Sequence, residues 1–254
     1  MYLLISPAKT LDFNTIDTFL PSSLPVFKAE ADKIAAILKK KLPNDLSKMM
    51  KISDDLARLN YDRYQQWSNL TDNQLKEAAF AFKGDVYQGL EIEKLSKDEI
   101  LFAQNHLRIL SGLYGLLRPL DKIAPYRLEM GTDLSVGKAK NLYEYWKTKI
   151  TRQISEEMKL LNTNTLVNLA SNEYFKSVDT KKLEVDIISP VFKDYKNGEY
   201  KIISFFSKKA RGRMSRYLIQ ENATDKEIIL GFQKDGYHYN ESLSTKSKPV
   251  FTRG

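Results

Sequence analysis

The sequence has no cysteine in 254 residues, which removes disulfides, thiolate nucleophiles, zinc–cysteine sites and iron–sulfur clusters from its chemistry. It has only two histidines, His106 and His238. Neither belongs to a metal-ligand spacing, and no nucleophile elbow is present. Long apolar runs are missing too. Met1-Tyr2-Leu3-Leu4-Ile5 is closed by Ser6-Pro7-Ala8-Lys9, far short of a signal-peptide core or a membrane span. The expectation is a protein of the reducing cytoplasm, with no membrane partner, metal or cofactor. Internal repeats, low-complexity tracts and clear linkers are likewise absent, so residues 1–254 read as a single domain.

What is present suffices for a packed core: 42% of residues are apolar and 11% aromatic, as in ordinary globular chains. The net charge is +8, which admits acidic partners. Its distribution is sharper than its total. Lys201, Lys208, Lys209, Arg211, Arg213 and Arg216 fall between Lys201 and Ile219 without one acidic residue.

Along the chain, Tyr2 to Ser6 reads as a short strand, and Ala29 to Lys41 as a helix with Ile34, Ile37 and Leu38 on one side. Leu46 to Trp67 reads as two short helices around Met50-Lys51-Ile52, with Ser53 as N-cap: a helix-hairpin-helix-like element over 46–67. Thr71 with Gln74, and Ser96 with Glu99, are capping-box starts. The helix after Ser96 is expected to run from Lys97 to Ser111, stacking Ile100, Ala103, Leu107 and Leu110 before Gly112 stops it. Gly112 to Asp121 is punctuated too often to be one regular element. Asn141 to Leu161 is a further helix, and Leu166 to Leu169 opens a strand-rich half. Asn197-Gly198 predicts a hairpin between Val185–Tyr195 and Tyr200–Phe206, and Asp235-Gly236 predicts another between Ile228–Phe232 and Tyr237–Tyr239. The expected class is α+β, with a helical first half and a mixed or largely antiparallel sheet in the second.

Chemistry concentrates in a few segments. As a helix from Lys208, the basic run places Ala210, Met214, Tyr217 and Leu218 on an apolar stripe. Lys208, Lys209 and Arg216 then fall opposite, with Arg211 and Arg213 on the flanks. Gly212 costs that helix about 1 kcal/mol, and reads as a place where a phosphate approaches the backbone. Lys51 and Ser53 stand at the helical hairpin, a device that turns amides toward a DNA phosphate. This turn lacks the usual glycines, and Asp54 and Asp55 would repel an anion. Ser6-Pro7-Ala8-Lys9-Thr10 lacks the glycines of a phosphate loop, leaving Lys9 as a point charge. Asp12, Asp85, Glu129 and Glu173 flank motif-like stretches, and Glu129 and Glu173 are the candidates for acid–base work.

Five stretches carry a resemblance. They are Ile5 to Leu11, Phe82-Lys83-Gly84-Asp85-Val86-Tyr87-Gln88-Gly89-Leu90, Arg108 to Thr132, Leu169-Ala170-Ser171-Asn172-Glu173-Tyr174-Phe175, and Lys209 to Arg216. Together they resemble the YaaA-like family of bacterial peroxide-stress proteins. The resemblance implies a cytoplasmic single-domain α+β protein with a positively charged cleft and a helix-hairpin-helix element that binds double-stranded DNA. It also implies a role in surviving hydrogen peroxide by limiting free iron and DNA damage.

Three functional readings follow. The first is a protein that holds duplex DNA by its backbone, with weak sequence preference, through Lys9, Lys51, Ser53, Arg118, Arg127, Lys208, Lys209, Arg211, Arg213 and Arg216. The second is an enzyme acting on nucleic acid or an anionic small molecule, with Arg118, Tyr126 and Arg127 around the substrate and Glu129 or Glu173 as acid or base. The two differ in depth: a narrow pocket favours the enzyme, an open groove the binder. The third is an interaction module for any polyanion, RNA being a nearby variant.

Overall fold

The computed structural model describes residues 1–14 and 20–254. Its central sheet contains β1 (Tyr2–Ile5), β2 (Leu107–Ser111), β3 (Gly115–Leu117), β4 (Thr165–Leu169) and β5 (Asp186–Ile188), in the order β3-β2-β1-β4-β5. β1 runs parallel to β2, with Ile5 opposite Ile109, and parallel to β4, with Ile5 opposite Leu169. β4 and β5 are also parallel, and the edge strand β3 is antiparallel. Every residue of β1, β2 and β4 is buried, which is why these strands read as continuous apolar runs rather than alternating ones.

Helices α1 (Lys28–Leu38), α2 (Pro43–Met50), α3 (Asp54–Gln66), α4 (Asp85–Leu90), α5 (Lys97–His106), α6 (Leu142–Leu160) and α7 (Ser204–Gln220) accompany it. The expected capping box of Ser96 and Glu99 opens α5, but the helix stops at His106, and Leu107–Ser111 is β2 instead. Ile100 and Ala103 are buried at helical spacing. Leu107 and Leu110 continue that spacing only by coincidence, because a fully buried strand is apolar at every position. Pairing with β1, a contact about a hundred residues away in sequence, decides the outcome. At the joint His106 stacks on Phe102 with ring centroids 4.1 Å apart, and burial lowers its pKa.

The fold is α+β, as expected, although the first half supplies three strands of the central sheet. A second sheet has the order β7-β6-β9-β8, from β6 (Val191–Lys196), β7 (Glu199–Lys201), β8 (His238–Tyr239) and β9 (Val250–Arg253). The β6–β7 hairpin turns at Asn197 and Gly198, at φ 56° and 85°, the left-handed conformations its turn requires. Its arms are shorter than expected: Asp186–Ile188 pairs in the central sheet instead, and residues 204–206 open α7 rather than ending a strand. The second expected hairpin does not form. Asp235 and Gly236 do turn, at φ 53° and 80°, but Lys226–Gly231 is a 3-10 helix, and β8 pairs with β9.

α2 and α3 are joined by the tight connection expected. Ser53 caps α3 by accepting from the Leu56 amide at 3.4 Å. Lys51 adopts φ 53°, and the Lys51 and Ile52 amides both donate to the Ser47 carbonyl. Those amides close the helix end instead of facing outward for a phosphate.

α4 and α7 cross at Gly89 and Gly212. A Cβ on Gly212 would overlap the Val86 carbonyl oxygen, and one on Gly89 would overlap that of Lys209. Gly212 is therefore explained by helix packing, and the phosphate approach expected for it is replaced by an approach of α4. The crossing fixes α7 beside the central sheet and so decides where its arginines point.

Candidate functional site

The chain leaves β1 for β2 on one side of the sheet and later reaches β4 on the other side. Such a reversal of strand order opens a crevice beyond the carboxyl ends of the strands, where ligands of open parallel sheets bind. In this sheet that position falls past Ile5 of β1 and Leu169 of β4.

The segments around it are tied by specific contacts. Ser6 Oγ accepts from the Ser171 amide at 2.8 Å, joining the loops that leave β1 and β4. Tyr87 of α4 donates its hydroxyl to the Ser6 carbonyl at 3.1 Å. Lys9 pairs with Glu129 at 2.8 Å, and Arg127 reaches the other Glu129 oxygen at 3.1 Å. The Gly131 amide donates to Glu173 Oε1 at 3.1 Å, and Arg211 of α7 donates to the Ala170 carbonyl at 3.2 Å. At the end of β2, the Ser111 and Tyr126 hydroxyls lie 2.6 Å apart. Five stretches scattered through the sequence thus share one neighbourhood.

Its electrostatics are mixed. Glu129 is shared by two cations. Arg127 Nε is buried and has no hydrogen-bond partner among the described residues. Burial lowers the pKa of Arg211, which donates to a neutral carbonyl. Lys208 precedes Arg211 by three residues and shares its helix face. Burial raises the Tyr87, Tyr126 and Tyr174 hydroxyls above their ordinary pKa, keeping them as neutral donors. Four cations accompanied by two carboxylates can hold an anion while leaving a carboxylate free to move a proton.

Not every predicted residue joins this cluster. Arg213 pairs with Glu91 and, at 3.3 Å, with Asp235. Arg216 lies 3.8 Å from Glu91 and donates to the Leu90, Glu91 and Lys94 carbonyls at the end of α4, a C-terminal capping role. Lys94 and Arg213 in turn hold the Glu91 carboxyl down to about 2. On α7, Arg213 and Arg216 are matched by acids from elsewhere in the chain, whereas Lys208, Lys209 and Arg211 have no ion pair among the described residues. Arg118 is committed to Asp121 at 3.0 Å and to the Leu24 carbonyl. Lys51 and Ser53 lie at the far end of α3 from Tyr64, whose hydroxyl donates to the Arg127 carbonyl. That separation is about 15–20 Å along the helix. Lys209 stands at the α4–α7 crossing, and Asp12 is bound to Lys83 at 2.8 Å.

Ser6, Tyr87, Ser111 and Ser171 were not singled out from the sequence. The available signal was a small polar residue ending each of three apolar runs, in Ile5-Ser6, Leu110-Ser111 and Ala170-Ser171. Among the described residues no group of three or more His, Asp or Glu side chains is placed to hold a metal, and no helix is long and apolar enough to cross a membrane.

Comparison with known proteins gives a consistent result. The sequence model of a family described as peroxide stress protein YaaA matches residues 1–243. A UPF0246 protein of Teredinibacter turnerae is 52% identical over 254 residues, covering 100% of this chain and 99% of the relative. UPF0246 proteins of Aliivibrio fischeri and Saccharophagus degradans are each 49% identical, covering 100% of this chain and 98% and 99% of theirs.

Proposed function

Given that the chain belongs to the peroxide stress protein YaaA family, we propose that it serves that response by holding duplex DNA through its phosphates at the switch-point cluster. Contact is compact rather than spread along a track. The supporting observation is the gathering of Lys9, Arg127 and Arg211 around the Ser6–Ser171 link. The other arginines expected to line a groove are spent on Asp121, Glu91 and Asp235. Limitation of free iron and of oxidative DNA damage, implied by the family resemblance, is proposed with it as the physiological outcome.

Salt dependence tests this reading. Nine cations each neutralising a phosphate would give a slope of log K against log salt near −8, whereas the four of the cluster give about −3 to −4. An affinity for duplex DNA that stays flat between 50 and 200 mM salt removes the proposal. Heparin that competes equally against every DNA form supports the polyanion module in its place.

One observation favours the enzymatic reading. Glu173 is oriented by the Gly131 amide within reach of the same cluster, an arrangement suited to an acid or base acting on a bound nucleotide. Incubation of DNA and of free nucleotides with the protein and its Glu173→Gln variant decides between them. Turnover lost in the variant with binding retained makes the protein an enzyme.

A further inference from the structure

A cavity of about 540 Å³ opens between α1, the turn after α3 and the loop following β3. It shares no lining residue with the switch-point cluster. Leu24, Ala35, Ala36, Leu70, Leu75 and Ala124 give it apolar lining. Trp67 and Tyr114 complete it, with ring centroids 6.0 Å apart. The indole N–H of Trp67 donates to Asp32 at 2.9 Å, so the ring is held in one orientation with its polar atom satisfied. An aromatic wall of that kind is suited to stacking.

Three lysines and Asp32 also line the cavity. Lys28 is matched by Asp32 at 2.9 Å and Lys122 by Asp72. Lys39, the C-cap of α1, lies one turn beyond Ala35, and among the described residues its ammonium donates to the neutral Ser68 hydroxyl at 3.4 Å. An ammonium with no ion pair among the described residues, in a cavity lined by alanine and tryptophan, calls for a ligand with two parts. One part is a flat ring, the other an acidic group.

We propose that this cavity binds a planar aromatic anion, stacked against Trp67 with its acidic group at Lys39. The volume lies within the range of small-molecule sites, and Ala35 and Ala36 supply the width for a ring that larger side chains would fill.

The test uses 2-naphthoate and its neutral counterpart 2-naphthylmethanol in calorimetric titrations of the full chain. Saturable binding of the anion is expected, at least about tenfold tighter than that of the alcohol. Ala36 is exposed, so Ala36→Phe should fold normally, fill the slot and abolish binding. Lys39→Gln should weaken the anion about tenfold, the size of a lost charge-assisted contact, and leave the alcohol unchanged. The proposal is overturned by the absence of saturable heat up to about 1 mM, by equal affinity for acid and alcohol, or by Ala36→Phe binding as tightly as the parent. Binding of duplex DNA is unaffected by either variant, so the outcome stands apart from the switch-point reading.

Discussion

Gly89 and Gly212 meet backbone to backbone: a Cβ on Gly89 would stand 3.0 Å from the Gly212 Cα and 2.8 Å from the Arg213 amide nitrogen. This contact brings α7 close enough to α4 for Arg216 to cap it. It also leaves Arg211 directed at Ala170.

Gly212→Ala is therefore expected to destabilise the protein although alanine is the better helix former. The propensity gain is about 1 kcal/mol. Forcing apart packed backbones costs more, about 2–3 kcal/mol in the upper part of the overpacking range, because the new Cβ would overlap a backbone oxygen outright. Urea unfolding should show a net loss of about 1–2 kcal/mol, and more for Gly212→Val. A midpoint equal to or above that of the parent contradicts the packing account.

Arg108 and Glu157 pair at 2.7 Å with side chains only 6% and 12% exposed, and the Tyr2 hydroxyl donates to the same carboxylate at 2.5 Å. Removing one member leaves a buried charge without its partner, a loss of about 3–5 kcal/mol. Glu157→Leu and Arg108→Met should each reach that range in denaturant titrations, with the double variant recovering most of it. Additive losses would show that the two charges do not depend on each other.

Glu91 makes stability depend on acid. Its carboxyl is depressed from the ordinary 4.5 to about 2 by Lys94 and Arg213, so the folded state favours the ionised form. The resulting stability is present above about pH 4.5 and drains away as pH falls toward 2. Glu91→Gln lacks this contribution at neutral pH and should show a shallower decline between pH 4.5 and 2 in thermal melts. Parallel declines for parent and variant would assign the acid response to other carboxylates.

Glu129 restrains the two cations it bridges. Glu129→Gln should release Lys9 and Arg127, tightening duplex binding severalfold and steepening the salt slope by about one. Lys9→Ala should do the reverse, shallowing the slope by about one. Fluorescence anisotropy across a salt series reads both, and unchanged slopes in both variants place DNA elsewhere on the surface.

Much of the local structure was legible in the sequence, for local reasons. Ser53 and Ser96 announced helix starts through hydroxyls that reach amides three residues on, and Asn197-Gly198 announced a turn that only left-handed residues make. The strand at Leu107–Ser111 was hidden because a short apolar run fits a buried helix as well as a buried strand. Of the site, Lys9, Arg127, Glu129, Glu173 and Arg211 were visible as chemistry, while Ser6, Tyr87 and Ser171 were not, since hydroxyls acquire a role only from what lies opposite them.

By itself the sequence determined which groups exist: no thiol, two imidazoles, and a surplus of cations concentrated in one helix. It also determined the starts of α3, α5 and α6 and the β6–β7 turn, because capping and turn chemistry act over three or four residues. The tertiary structure alone decided which cations remain available. Glu91, Asp235 and Asp121 reach Arg213, Arg216 and Arg118 through space, and Coulomb attraction depends on distance after folding, not on separation along the chain.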